Sequence, residues 1–246
     1  MLQLFSHADN WWTLPLWLVL LGVCVWRWQR QHTKKDKQLL GAALLLKSAA
    51  LGIYIVYSSA GTGAGDLVFF WDKFAPRYWQ LVRDNPEWRS ELLGFLLWNS
   101  PEQNAALQEA FAGQLFNRFN YTNAFEMLYL RLVLIIRLLS GGNIATGLLL
   151  STTLGFLGQW WVLGALRQFG RGHDWWRLAV VFGIPSVGIY TTGHHKETFI
   201  VLGFGMLARG LWAMNATQLQ RPVWIVVGWL LMFAIKPYLA LIMLPF

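Results

Sequence analysis

The sequence predicts an all-α, polytopic transmembrane bundle of about six spans, and three observations carry that reading. Apolar residues fill 56% of the 246 positions and charged ones 13%, with a mean hydropathy of +0.40, too hydrophobic a balance for a soluble domain of this length. Long apolar runs recur along the chain, separated by short polar connections. The basic residues gather in alternate connections, as the positive-inside rule requires.

The first run, 11–28, is followed by Arg30, Lys34, Lys35 and Lys37, which places that connection in the cytoplasm and the N-terminus outside. It has no basic stretch before it and ends in Trp26-Arg27-Trp28 without a small-residue cleavage site, so it reads as a retained anchor. The second run, 39–60, is long enough to return across a hydrocarbon layer of roughly 30 Å. It delivers Gly61-Thr-Gly-Ala-Gly-Asp66 to the outer surface. Residues 61–143 hold eight acids and seven bases and form the one large outer loop, with short surface helices over 74–98 and 103–119 on either side of Asn99-Ser-Pro101.

Residues 124–139 are apolar enough to suggest a crossing, yet they carry Glu126, Arg131 and Arg137. A crossing there would put Arg167, Arg171 and Arg177 outside, so an interfacial helix on the outer side fits the charge rule better, with a spanning helix as the alternative. The remaining runs are 144–166, 178–192, 198–214 and 222–241. The three inner connections then carry Arg27, Arg30, Lys34, Lys35, Lys37, Arg167, Arg171, Arg177, Arg209 and Arg221 against Asp36 and Asp174, which equals the whole net charge of +8. Tryptophan agrees, because indoles collect at membrane interfaces. Trp26, Trp28, Trp160, Trp161, Trp175, Trp176, Trp212 and Trp224 all fall at the inner ends of runs. Orientation and anionic membrane lipid explain the positive charge, and no nucleic-acid partner is needed.

The chain reads as a single transmembrane domain over 1–246. It stops at Leu244-Pro-Phe246 in or just past an apolar run, which suggests the N-terminal part of a longer protein, a compact six-span protein being the alternative. The one cysteine, Cys24, allows neither an internal disulfide nor a cysteine metal site.

The densest chemistry lies where the apolar run 178–192 ends in His194, His195, Lys196 and Glu197. Thr191, Thr192 and Gly193 supply turn chemistry and a new helix follows, so the cluster sits at a helix N-terminus, where the dipole and free N–H groups favour an anion. A point charge beside N–H donors suits a phosphate, whereas the plainer alternative is interfacial snorkelling of Lys196. His194 and Glu197 lie on one helical face and would suit a shared metal, but two ligands do not make a site, so a divalent cation is left open.

Asp66 sits in a glycine-rich turn at headgroup depth, where a base acting on a lipid-linked substrate belongs; an ordinary solvated turn aspartate is the alternative. Asp72 is a second candidate carboxylate. Lys236, in Ala-Ile-Lys-Pro-Tyr238, lies where proline breaks the last run near its outer end and can join the same cavity as Lys196. Lys47 lies within a span and reads as a structural pair or a snorkelling side chain. Arg131 and Arg137 suit a phosphate or lipid headgroups. Nucleotide-binding, nucleophile-elbow and zinc motifs are absent from the sequence, which argues against ATP-driven transport and hydrolase chemistry.

Two runs followed by Gly63-Ala-Gly-Asp66, with Phe69, Phe70 and Trp71 after it, resemble the start of the polytopic C-type superfamily of glycosyltransferases that use polyprenyl-phosphate sugars. Members in bacterial polysaccharide clusters have a Gly-Gly-Asp element followed by tyrosine. Pro185-Ser186, Tyr190-Thr-Thr-Gly193 and Lys196-Glu197 are similar to a Pro-Ser, Phe-Trp-Ser-Ser-Gly, Lys-Glu pattern in such proteins, with Tyr190 in place of tryptophan and threonines in place of serines. The resemblance implies a catalytic carboxylate in the first outer loop, which maps onto Asp66, and a lipid-linked sugar donor in the inner membrane of a bacterium, used at its outer face.

The expected reaction is an inverting sugar transfer, with Asp66 as base and with Lys196, His194, His195 and Lys236 on the donor phosphate. The alternatives are a flippase or polymerase component that binds the same lipid without turnover, and a small-solute transporter, which would want polar groups and broken helices near mid-membrane.

Overall fold

A computed structural model describes residues 12–30, 32–59, 71, 74–88, 101–103, 105, 109, 124–169, 174–212 and 220–243. Asp66, Asp72 and most of the expected helix 103–119 lie outside the described residues. Among the described residues the regular elements are all helical, with no strand. They are α1 (Thr13–Arg30), α2 (Lys34–Ser59), α3 (Ala75–Asp84), α4 (Ala124–Leu139), α5 (Ile144–Leu166), α6 (Asp174–Phe182), α7 (Pro185–Tyr190), α8 (Lys196–Trp212), α9 (Gln220–Ile235) and α10 (Pro237–Ile242).

The all-α expectation holds. Six spans are expected; among the described residues two helices are long and apolar enough to cross a membrane, α2 over Lys34–Tyr57 and α5 over Ile144–Leu166. Proline accounts for much of the difference. The run 178–192 is divided at Ile184-Pro185 into α6 and α7, and the run 222–241 is divided at Lys236-Pro237 into α9 and α10. Pro185 has no N–H to give to the carbonyl four residues earlier, that of Val181, and Gln159 Nε2 donates to it instead at 2.8 Å. At the second break α10 turns back beside α9, so that Trp229 Nε1 reaches Ala240 O at 3.0 Å.

Small residues let α5, α8 and α9 approach closely. A methyl group at Gly205 would collide with the backbone of Gly158, and one at Gly203 would stand 2.8 Å from Gly228 O. Large apolar side chains are exposed along α1, α2 and α9, among them Val19, Val23, Ile53, Val56, Val226 and Leu230.

Contacts define two ends. At one, Lys35 meets Asp174 (2.6 Å), Arg167 meets Asp36 (2.8 Å), Trp28 meets Trp160 and Trp161 meets Trp224. The inner connections of the sequence reading thus come together with their tryptophans. At the other end α5 begins, capped by Asn143, whose side chain accepts from Thr146 N at 2.9 Å. Here too α8 begins and α9 stops. α4 lies across this end, since Leu139 O accepts from Trp17, Tyr129 hydroxyl donates to His194 O, and its core residues pack with Ile235. Leu128, Tyr129, Leu130, Val133 and Leu134 of α4 are buried against α3 and the bundle.

Candidate functional site

The site grows from the break after α7. Thr191 and Thr192 hydroxyls return to Val187 O (2.5 Å) and Gly188 O (2.6 Å), closing the short helix. Gly193 follows with φ of +79°, and a Cβ there would stand 2.6 Å from the Tyr54 ring, so both backbone and space require glycine. Thr198 Oγ1 donates to Gly193 O at 3.0 Å and fixes the turn against the start of α8.

His194 is thereby pressed inward and is 1% exposed. Its Nδ1 is 2.7 Å from Ser151 Oγ, its carbonyl accepts from Tyr129, and its ring stacks on Trp71 with centroids 4.5 Å apart. Nε2 is buried with no hydrogen-bond partner among the described residues. Burial, with a smaller push from His195, drives its pKa down to about 3, so the imidazole is neutral at physiological pH. It can offer a hydrogen bond through Nε2 but no positive charge.

Trp71 is held from three sides. Its Nε1 donates to Gly142 O (3.3 Å), its carbonyl accepts from Arg137 Nη1 (2.9 Å), and the Arg137 guanidinium lies 5.3 Å from the ring centroid. A methyl at Gly147 would strike the indole. Arg137, expected at a phosphate or at headgroups, therefore braces Trp71. Arg131 is 3% exposed and its Nε donates to Tyr78 hydroxyl at 3.3 Å, tying α4 to α3.

Next in the chain, His195 meets Tyr54 and Tyr190 edge-on at 5.1 and 6.0 Å. Lys196 Nζ lies 5.5 Å from the Tyr129 ring centroid, and Lys236, at the break after α9, meets Glu197 at 3.0 Å. The cluster expected from sequence is thus assembled, including the distant Lys236, but part of its charge is compensated internally by Glu197. Among the described residues no group of three or more His, Cys, Asp or Glu comes together in a metal-sized cluster. No family model, characterised protein or solved structure matches the chain.

Beneath the site Lys47 is 4% exposed, and its ammonium donates to Gln159 Oε1 (3.0 Å), Thr191 O (2.8 Å) and Thr191 Oγ1 (2.7 Å). Three donors meet three acceptors, the structural pairing expected for it.

Sequence reading does not single out Ser151, Tyr54, Tyr129 or Gln159. Ser151 and Gln159 do leave a trace, as polar residues inside an otherwise apolar run. The two tyrosines leave none, because an aromatic in an apolar helix looks like any core residue.

Proposed function

We propose that the chain is a membrane glycosyltransferase that moves a sugar from a polyprenyl-phosphate donor to an acceptor hydroxyl, at the end of the bundle where His194 lies and on the outer face of a bacterial inner membrane. The observation that carries it is the stack of Trp71 on His194. Trp71 follows Asp66 by five residues, so with at most about 3.6 Å per residue the Asp66 backbone lies within roughly 18 Å of the anchored indole. Exposed apolar side chains on α1, α2 and α9, and basic tryptophan-rich connections at the opposite end, support insertion as about six spans, two of them broken.

In the reaction the Asp66 carboxylate takes the proton of the acceptor hydroxyl while that oxygen attacks the anomeric carbon. The bond from that carbon to the phosphate oxygen breaks, its electron pair stays on the polyprenyl phosphate, and configuration inverts. The N-terminus of α8, Lys196 and His195 stabilise the departing phosphate, His194 contributes a neutral donor, and Lys236 assists to the extent that Glu197 releases it. Asp72 is the second carboxylate.

Purified protein supplied with labelled polyprenyl-phosphate sugar tests this. Transfer by the wild type, lost by more than about 100-fold in Asp66→Asn at unchanged expression and melting, is the expected result. An active Asp66→Asn removes Asp66 from the mechanism, and donor binding without turnover favours a flippase or polymerase component. The broken helices at Pro185 and Pro237 suit a solute transporter, but the polar group beside the first break, Lys47, already has its donors occupied.

A further inference from the structure

α1 is fastened to the body at its ends. Thr13 is its one buried residue and contacts Ser140 O and Thr146 Oγ1, while Trp28 meets Trp160 edge-on at 5.5 Å. Between these anchors a gap of about 400 Å³ separates α1 from α2 and α5, walled by Leu21, Leu44, Leu149 and Phe156, with the internally bonded Lys47 at its edge. A second cavity of about 540 Å³ adjoins it at the basic end and shares Trp28, Leu157 and Trp160 as a common wall. Its lining is mixed, with the polar groups of His32, Asp36, Arg167, Gln168 and Arg209 set among apolar walls.

An apolar gap of this size left empty forfeits dispersion contacts along its whole lining, and water entering it would find few partners. From Leu149 to Trp160 the α5 axis rises roughly 16 Å, about half of the 30 Å hydrocarbon core and so the depth of one leaflet. The polar cavity supplies the matching headgroup chemistry. Asp36 is matched by Arg167 at 2.8 Å, Arg167 also reaches Asp174 at 3.5 Å, and His32 Nδ1 is 2.7 Å from Trp28 O. Arg209 differs: its guanidinium lies over the Trp161 and Trp224 rings at 5.4 and 5.1 Å, and its Nε is buried without a hydrogen-bond partner among the described residues.

We infer that one anionic membrane phospholipid occupies this paired cavity, its acyl chain in the gap behind α1 and its phosphate at Arg209, straddling the Trp28–Trp160 pair. The inference rests on membrane insertion and not on sugar transfer, since the cavity lies at the opposite end from His194. A lipid here fills the space that α1 leaves and sets a counter-charge against the Arg209 guanidinium that lines the polar part of the cavity.

Native mass spectrometry of the delipidated full chain, titrated with phosphatidylglycerol or phosphatidylcholine of identical chains, tests it. The wild type is expected to retain one phosphatidylglycerol at least about tenfold more tightly, because the choline ammonium of phosphatidylcholine offsets the phosphate charge that faces Arg209. Arg209→Gln is expected to abolish the preference, Arg209→Lys to keep it, and Arg221→Gln, at the same end but outside the cavity, to leave it unchanged. Leu149→Trp, which fills the gap, is expected to weaken both lipids, and inorganic phosphate is expected not to compete because it has no chain. Equal retention of the two lipids by the wild type, or an undiminished preference in Arg209→Gln, would overturn the proposal. Sugar transfer in the same samples is a separate readout.

Discussion

Lys35 and Asp174 meet at 2.6 Å with the lysine side chain 57% exposed, whereas His194, at the other end of the same bundle, is 1% exposed and has Ser151, Tyr129 and Trp71 against it. Both ends are polar; the first, where Asp174 is 7% exposed but its lysine partner stands in water, is the wetter, and the core around His194 is the drier. At the wet end ion pairs form in a high dielectric and contribute roughly 0–1 kcal/mol each. In the dry core of that end, at Ser151, His194 and Thr198, the polar side chains have left water, so a missing partner costs the desolvation of the one left behind, while Lys236 and Glu197 at its rim stay 29% and 39% exposed. The sequence pattern looks similar in both places, a few charges between apolar runs. What separates them is the cover of α4 and the Trp71 indole over one end.

The comparison is broken most readily at Gly193. Gly193→Val meets the Tyr54 ring and forces a β-branched residue to φ of +79°, which is expected to cost about 4 kcal/mol. Denaturant unfolding in detergent measures it, and a cost as small as that of a surface change would mean the turn is not tightly held. Lys47→Met comes next. It leaves Gln159 and Thr191 buried without their donor, for an expected loss of about 3 kcal/mol in the same assay.

Acid separates the ends more finely. His194 has its pKa lowered from 6.5 to about 3, so the unfolded chain binds more protons between those values. Its stabilising contribution is complete above pH 6.5 and is lost as pH falls toward 3, at up to about 1.4 kcal/mol per pH unit. Melting curves from pH 7.5 to 4.5 are expected to fall less steeply in His194→Gln than in the wild type. Asp174 is also held below its ordinary 3.8, chiefly by its hydrogen bond from Lys35, so its contribution is kept above 3.8 and is lost only below it. The smallest effect follows: Lys35→Ala is expected to cost at most about 0.5 kcal/mol, and a loss above 2 kcal/mol would erase the distinction between the ends.

Much of the architecture was legible before any coordinates. Helical class, the gathering of Arg167, Asp36 and the tryptophans at one end, and the meeting of Lys236 with the 194–197 cluster all follow from apolar run lengths and charge placement. The division of two runs at Pro185 and Pro237 was partly legible, since proline is visible but its consequence depends on whether Gln159 or a similar donor stands ready. The state of His194 was not legible. Charge and a helix start suggest a cation, while burial by Trp71 and Tyr129, residues distant in sequence, leaves it neutral.

The central claim is that the loop carrying Asp66 and the cluster at 194–196 face one crevice on the dry end. A cysteine pair made by Asp66→Cys and Lys196→Cys in a Cys24→Ser background, treated with thiol cross-linkers of graded length, measures it directly. Efficient intramolecular linkage by reagents spanning about 20 Å or less, against none for Asp66→Cys paired with Lys35→Cys, is the predicted result; linkage to position 35 and none to position 196 would contradict it.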